Sequence, residues 1–90
     1  MAQASSEAVF VTLPAGVDLH ARPAADFVRT AMGFGAAIQV GAGEREADAK
    51  SLLSVLALGA KGGAELRLSA LGDDAGAALD ALRDRVASLS

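Results

Sequence analysis

The chain has 90 residues, a formal net charge of -3, one histidine and no cysteine. This length allows one small domain with one modest core. The lack of cysteine excludes a disulfide framework, thiolate chemistry and cysteine-based metal sites. The negative charge and the absence of Trp and Tyr argue against a nucleic acid partner, which favours a basic face and stacking rings. The most apolar stretch, residues 52–60, is too short for membrane insertion, and no signal peptide is evident.

The first element predicted is a strand. Residues 1–7 are polar and are expected to form a flexible lead. From residue 8 to residue 13 the apolar residues alternate, which is typical of a half-buried strand. Its inward side chains are expected to be Val9, Val11 and Leu13.

Apolar residues at helical spacing predict the first helix, from about Ala21 to about Met32. Pro23 fits its first turn, where a missing N–H costs no hydrogen bond. Gly33 is expected to end the helix with the usual glycine C-cap geometry. The apolar residues that recur at this spacing are Ala24, Phe27, Val28, Ala31 and Met32.

Two strands and a short helix are predicted in the middle of the chain. Residues 36–40 read as a strand, and residues 41–43 as a turn that leads to a short charged strand over 44–47. A short charged strand suits the edge of a sheet, where it discourages pairing with other chains. Ser51 has the side chain preferred at an N-cap, and Gly59 closes the short helix that follows.

The last part of the chain predicts a loop, a strand over 65–70 and a final helix. Asp73-Asp74 offers an N-cap for that helix, which suits the two residues better than a catalytic pair. Its buried stripe is expected to contain Leu79, Leu82, Val86 and Leu89. The order is β-α-β-β-α-β-α, and the simplest burial is an α+β fold with helices on one face of an antiparallel sheet.

The one histidine stands where the first helix is expected to start. If the helix begins at about Ala21, His20 is its N-cap and Arg22 lies in its first turn. The free N–H groups of Ala21 and Arg22 then form an anion site that the helix dipole reinforces. A nucleophilic imidazole, a guanidinium and amide donors together suit a phosphoryl group. The alternative is that His20 is an ordinary capping residue and Arg22 an ordinary solvated charge.

Two segments resemble a known family. His20-Ala21-Arg22-Pro23-Ala24 resembles the active-site motif of the HPr family, the histidine-containing phosphocarriers of the sugar phosphotransferase system. At matching spacing, Ala49-Lys50-Ser51-Leu52-Leu53 through Leu58-Gly59 is similar to the family's regulatory-serine segment. The likeness covers nearly the whole chain. It implies an open-faced β-sandwich over residues 1–90, with strands in the order 1-4-2-3 and three helices on one face.

The resemblance also implies roles for individual residues. His20 would accept a phosphoryl group at Nδ1 from the phosphoenolpyruvate-dependent Enzyme I and pass it to Enzyme IIA, as a carrier rather than an enzyme. Arg22 and the N–H groups of Ala21 and Arg22 would stabilise the group, with no cofactor and no metal. Ser51 would be a regulatory phosphorylation site for a serine kinase or phosphorylase, although an N-cap already explains it. The expected setting is the cytoplasm.

The second helix has more leucines than one buried stripe needs. If Leu52, Leu56 and Leu58 are not all buried, some face solvent beside His20 and suggest a docking patch. The alternative is that all of them belong to the core. In the family the first two helices meet partner proteins, and the chain is expected to be a monomer. The residues expected to touch partners are Ala21, Ala24, Leu52, Leu53 and Leu56.

One residue departs from the family pattern, and two other functions stay open. Asp18 stands where the family usually has glycine, and its carboxylate is expected to lie near the phosphate position and repel the incoming group. One alternative function is a regulatory module, in which phosphorylation of His20 or Ser51 selects partners without sugar transport. The other is a domain of a larger multiphosphoryl-transfer protein.

Overall fold

A four-stranded antiparallel sheet in the order β1-β4-β2-β3 organises the fold. The computed structural model describes residues 5–90, and the elements follow the predicted order β-α-β-β-α-β-α. Strand β3 lies at one edge, as its charge and short length predict. The predicted fold class and strand order are confirmed. The strands are β1 (Ser5–Thr12), β2 (Ala37–Ala42), β3 (Arg45–Asp48) and β4 (Glu65–Gly72).

Three helices cover one face of this sheet. The third helix packs on β1 and β4, the second packs on β2 and β3, and the first packs against both other helices. Within residues 5–90, none of these helices has the length and apolar character that a membrane crossing needs. The helices are α1 (Ala21–Met32), α2 (Leu52–Leu58) and α3 (Ala75–Ala87).

The core lies between the sheet and the helices and follows the predicted alternation. Phe27 of α1 and Leu82 of α3 are fully buried against the inward side chains of the strands. Met32 is an exception, because its side chain is 64% exposed. It falls at the edge of the apolar stripe of α1, so its helical spacing alone does not bury it. The inward strand residues are Val11, Ile38, Val40, Leu66, Leu68 and Ala70.

The first strand begins earlier than predicted. Strand β1 starts at Ser5, so the flexible lead predicted for residues 1–7 is wrong from Ser5 onward, and residues 1–4 lie outside the described part. The polar residues at its start show no apolar alternation. They are strand because β1 pairs with β4 along its whole length, from Ser5 opposite Gly72 to Thr12 opposite Glu65.

The hairpin between β2 and β3 is shifted from its predicted position. Gly41 lies inside β2 rather than in the turn, and the turn is formed by Gly43 and Glu44, where Gly43 has φ of +61°. Arg67 of β4 explains the glycine in the strand, because a Cβ on Gly41 would lie 2.8 Å from Arg67 Cζ. Gly41 therefore makes room for a neighbouring guanidinium.

The two predicted glycine C-caps differ in the structure. Gly59 ends α2 with φ of +63° in the left-handed region, as predicted. Gly33 ends α1 with φ of -74°, an ordinary right-handed conformation, and donates its N–H to the Thr30 carbonyl at 3.1 Å. The predicted glycine C-cap geometry is wrong at Gly33, because α1 ends on a tightened last turn instead.

Asp74 is the N-cap of α3, as predicted, but its carboxylate does not bind its own helix. Its two oxygens accept the N–H groups of Gly35 and Ala36, each at 2.8 Å. These bonds, led by the one from Gly35, lower the pKa of Asp74 against the opposing effect of desolvation. The side chain therefore ties the start of β2 to the start of α3.

Candidate functional site

His20 is the N-cap of α1, but its side chain does not cap the helix. Its backbone is extended, with φ of -140° and ψ of 162°, and no cap hydrogen bond comes from the imidazole. Its backbone N–H donates to the Asp18 carbonyl oxygen at 2.9 Å. The residue is exposed, so the ring stands at the surface with both nitrogens available for chemistry.

The residue after the histidine has an unusual backbone. Ala21 has φ of +44°, the only positive φ of a non-glycine residue within residues 5–90. An L-residue in this region is strained, and such strain persists where the surroundings impose it. In the described part of the chain, the N–H groups of Ala21 and Arg22 have no backbone acceptor. Alanine gives no sequence signal for this conformation, so sequence reasoning missed it.

Arg22 projects from the first turn of α1, as predicted. Its side chain is exposed, and no hydrogen bond or ion pair to another residue of the described chain involves its guanidinium. The other arginines of the helices differ, because Arg29 pairs with Asp26 and Arg83 pairs with Asp80. Arg22 is thus a cation without a partner, two residues from the imidazole, and can bind an anion there.

The carboxylate of Asp18 is already occupied in the structure. Oδ1 accepts the N–H of Gly62 at 2.9 Å, and Oδ2 lies 3.8 Å from Nζ of Lys61. The predicted proximity to the site holds, because Asp18, His20 and Lys61 line one cavity of about 190 Å³. The expected repulsion of an incoming phosphoryl group stays a prediction, and the structure adds these two partners of the carboxylate. Sequence reasoning missed Lys61, since nothing in the sequence brings the two loops together.

Backbone hydrogen bonds hold these two loops side by side. Leu19 N–H donates to the Ala60 carbonyl at 2.9 Å, and Leu13 N–H donates to the Ala64 carbonyl at the same distance. Gly62 packs so closely that an added Cβ would lie 2.7 Å from the backbone nitrogen of Val17. The segment after α2 therefore forms a fixed wall of the cavity beside His20.

Ser51 is the N-cap of α2, as predicted. Its Oγ accepts the N–H of Ser54 at 3.3 Å, and its O–H donates to Ser54 Oγ at 3.0 Å. The side chain is half-buried. The hydroxyl therefore has a complete structural role at the start of α2.

The leucines of α2 divide between core and surface. Leu58 is buried, Leu56 is half-buried and lines the cavity beside His20, whereas Leu52 is 40% and Leu53 is 81% exposed. The alternative that all of them belong to the core is wrong. We call Leu52, Leu53 and Met32 the leucine patch, since Met32 and Leu52 share a surface depression of about 320 Å³. Met32 was not predicted to be part of this surface.

Ala24 does not belong to any partner surface. Its side chain is 0% exposed and packs in the core of α1. The sequence prediction that Ala24 touches partner proteins is therefore wrong, because no atom of its side chain reaches the surface. Ala21, by contrast, is exposed at the helix start.

An exposed imidazole at a helix start, on an open-faced sandwich of this strand order, is the arrangement that the resemblance to the HPr family implies. The chain belongs to the HPr family of the phosphotransferase system. The family model described as PTS HPr component phosphorylation site matches residues 6–88. Within residues 5–90, no group of three or more His, Asp or Glu side chains is placed to hold a metal ion.

Curated relatives and solved structures agree with this family. The chain is 48% identical over 80 residues to a multiphosphoryl transfer protein of Xanthomonas campestris pv. campestris, covering 89% of this chain but only 9% of that protein. It is 50% identical over 68 residues to the phosphocarrier protein HPr of Haloferax volcanii, covering 73% of this chain and 76% of the relative. The phosphocarrier protein HPr of Bacillus anthracis superposes with a TM-score of 0.85 at 31% identity, covering 90% and 96% of the two chains.

Proposed function

We propose that this chain accepts a phosphoryl group on His20 from phosphoenolpyruvate through Enzyme I and passes it to Enzyme IIA of a sugar phosphotransferase system. The observation that carries the proposal is the free, exposed imidazole of His20 at the start of α1, in a chain of the HPr family. We take residues 1–90 as one such domain, acting as a monomer in the cytoplasm.

The transfer needs one nucleophile and several positive groups. Nδ1 of His20 attacks the phosphorus, and the bond from phosphorus to the donor breaks as the new nitrogen–phosphorus bond forms. Charge on the phosphoryl oxygens is met by Arg22 and by the free N–H groups of Ala21 and Arg22. The same step runs in reverse toward a histidine of Enzyme IIA. The chain has no turnover of its own, so it is a carrier rather than an enzyme.

Partner proteins are proposed to dock on the exposed ends of α1 and α2. Leu52 and Leu53 are the exposed apolar side chains of α2, and Leu56 borders the cavity of His20. Exposed apolar side chains on the same short helix as Leu56 suit a transient interface. Ala21 completes the surface at the helix start. Ser51, directly before these leucines, is the proposed target of a serine kinase or phosphorylase.

The proposal is tested by incubating the chain with phosphoenolpyruvate and Enzyme I and measuring the intact mass. We expect the mass of one added phosphoryl group, lost again in acid, and none for His20→Ala. That variant should keep its stability within about 0.5 kcal/mol, because the His20 side chain caps nothing. Normal phosphorylation of His20→Ala would overturn the proposal. Phosphorylation without onward transfer to any Enzyme IIA would favour the regulatory module.

A further inference from the structure

The cavity beside His20 contains a second positive group that the proposed mechanism does not use. Three of its lining side chains are ionisable, namely Asp18, His20 and Lys61. The Lys61 side chain is 80% exposed, and its Nζ lies 3.8 Å from Asp18 Oδ2. This ion pair is long and exposed, and such pairs hold their partners weakly.

The backbone on both sides of Lys61 is held in place. Ala60 accepts the N–H of Leu19, and the N–H of Gly62 donates to Asp18 Oδ1 at 2.9 Å. The two oxygens of Asp18 therefore have different partners: one holds the loop through Gly62, and the other faces the ammonium of Lys61. The loop is fixed beside the cavity, whereas the long side chain of Lys61 keeps its freedom.

Phosphorylation would change the balance of charge inside this cavity. A phosphoryl group brings a charge of about -1.5 to -2 and three acceptor oxygens, against the single charge of the Asp18 carboxylate. An ammonium beside the same cavity is drawn more strongly to the more highly charged of two anions there. The hydrogen bond from the Gly62 N–H to Asp18 Oδ1 does not involve the ammonium.

We propose that Lys61 is a second cation for the phosphoryl group on His20, and that Asp18 is the positioning residue that holds Lys61 beside it. This rests on the proposed function of His20 as the acceptor. Before phosphorylation the ammonium is kept near the cavity by Asp18; afterwards it contacts the phosphoryl oxygens together with Arg22. The carboxylate that stands where the family usually has glycine is then offset by the lysine that it positions.

The test phosphorylates the protein chemically, without Enzyme I. Phosphoramidate transfers its phosphoryl group to the imidazole as its own phosphorus–nitrogen bond breaks and ammonia leaves. The ionisation of the phosphoryl group is then followed by ³¹P NMR against pH. For Lys61→Met, the proton concentration at half-protonation should fall about 1.5- to 5-fold, the size of an exposed charge contact. Lys61→Arg should restore most of the wild-type value.

A matched control removes a cation elsewhere. Arg83 pairs with Asp80 on α3 and does not line the cavity, so Arg83→Met should leave the phosphoryl ionisation unchanged. If the phosphoryl group of Lys61→Met titrates as it does in the wild type, the inference about Lys61 is overturned. An Arg83→Met protein that shifts as much as Lys61→Met overturns it too, because the effect would then reflect net charge.

The positioning role of Asp18 is tested in a double-mutant cycle. Asp18→Asn keeps an oxygen for the Gly62 N–H, whereas Asp18→Gly loses it. The effect of Lys61→Met should persist in the Asp18→Asn background and shrink toward onefold in the Asp18→Gly background. Equal effects in both backgrounds overturn the role of Asp18. Because phosphoramidate needs no protein partner, failure of transfer from Enzyme I would contradict the proposed function without deciding these outcomes.

Discussion

His20 and Ser51 occupy the same position in their helices and use it differently. Both are N-caps with extended backbones. The hydroxyl of Ser51 accepts the N–H of Ser54, whereas the imidazole of His20 makes no capping hydrogen bond. A side chain tied to the backbone is held away from other partners, and a free one can react. The proposed acceptor is therefore the N-cap whose loss the helix tolerates.

Arg22 gives the first prediction at the scale of single residues. Arg22→Ala should slow phosphorylation of His20 roughly 10- to 100-fold, the loss expected when a hydrogen bond from a charged donor disappears. The helix should be unaffected, because alanine is the better helix former. Rates are measured with Enzyme I at subsaturating concentration. Arg83→Ala is the control, and an equal loss in both variants would show that the guanidinium of Arg22 has no specific role.

At the scale of single residues, the sequence predicts which residues stand at a helix start better than it predicts their backbone conformation. His20, Arg22 and Pro23 could be placed at a helix start, because proline and the apolar spacing both signal that start. The positive φ of Ala21 could not be predicted, since an alanine does not signal it. The contact of Asp18 with Lys61 joins loops far apart in the chain, and only the folded sheet brings them together.

Among the elements, α2 depends most on its ends. It has seven residues, with Ser51 capping its start and Gly59 its end. Short helices are marginal without such support. The exposed leucines Leu52 and Leu53 follow the first cap directly. A change at Ser51 therefore acts on both helix stability and the proposed docking surface.

Variants of Ser51 should separate these two effects. Ser51→Asp keeps a capping oxygen and should keep or raise the melting temperature, yet slow phosphorylation of His20 because it puts a charge beside the leucine patch. Ser51→Ala should lose about 1 kcal/mol of stability while its phosphorylation stays near the wild-type rate. Both are measured by thermal unfolding and by the Enzyme I assay. A wild-type rate for Ser51→Asp at subsaturating Enzyme I would contradict the docking argument.

Substitution by alanine should change the free energy of unfolding differently at the two C-cap glycines, Gly59 of α2 and Gly33 of α1. Gly59→Ala forces a side chain into the left-handed region and should cost about 1 kcal/mol. Gly33→Ala keeps an ordinary φ of -74° and should stay within about 0.5 kcal/mol of the wild type. Urea unfolding of both variants checks this. Equal losses would mean that backbone conformation at these ends has no separate effect.

Element boundaries show where sequence reasoning stops. Helix α1 was predicted from 21 to 32 because its stripe and Pro23 are local signals. The start of β1 was missed because Ser5 is strand only through its pairing with β4. The sequence predicts a turn at Gly41 because a glycine usually marks one, whereas the Arg67 guanidinium that requires this glycine comes from β4. The incorrect boundaries thus occur where an element depends on a partner that is distant in the sequence.

At the scale of the whole molecule, the Asp74 side chain links segments that are far apart in the sequence. It binds Gly35 and Ala36 before β2, and Lys50 Nζ donates to the neighbouring Phe34 carbonyl at 2.7 Å. These bonds connect the loop after α1, the loop before α2 and the start of α3.

Asp74→Asn should make the free energy of unfolding depend less on pH in the acid range. The N–H of Gly35 lowers the pKa of Asp74 in the folded state below its ordinary 3.8. The ionised carboxylate therefore stabilises the fold above pH 3.8, and this contribution disappears as the pH falls through the lower folded pKa. Asp74→Asn should be less stable at pH 7, and the gap should close at lower pH. Urea unfolding from pH 7 to pH 2 would contradict this if the gap stayed constant.

The strand order has a consequence for how the chain is made. Strand β4 lies between β1 and β2, so β1 has no partner until the chain has been synthesised through residue 72. Until then the ribosome holds a nascent chain whose first strand is an unpaired edge. Folding is therefore completed late and by contacts between distant segments, which slows it. A chain truncated before β4 would keep only the β2–β3 hairpin, and an isolated hairpin is marginally stable at best.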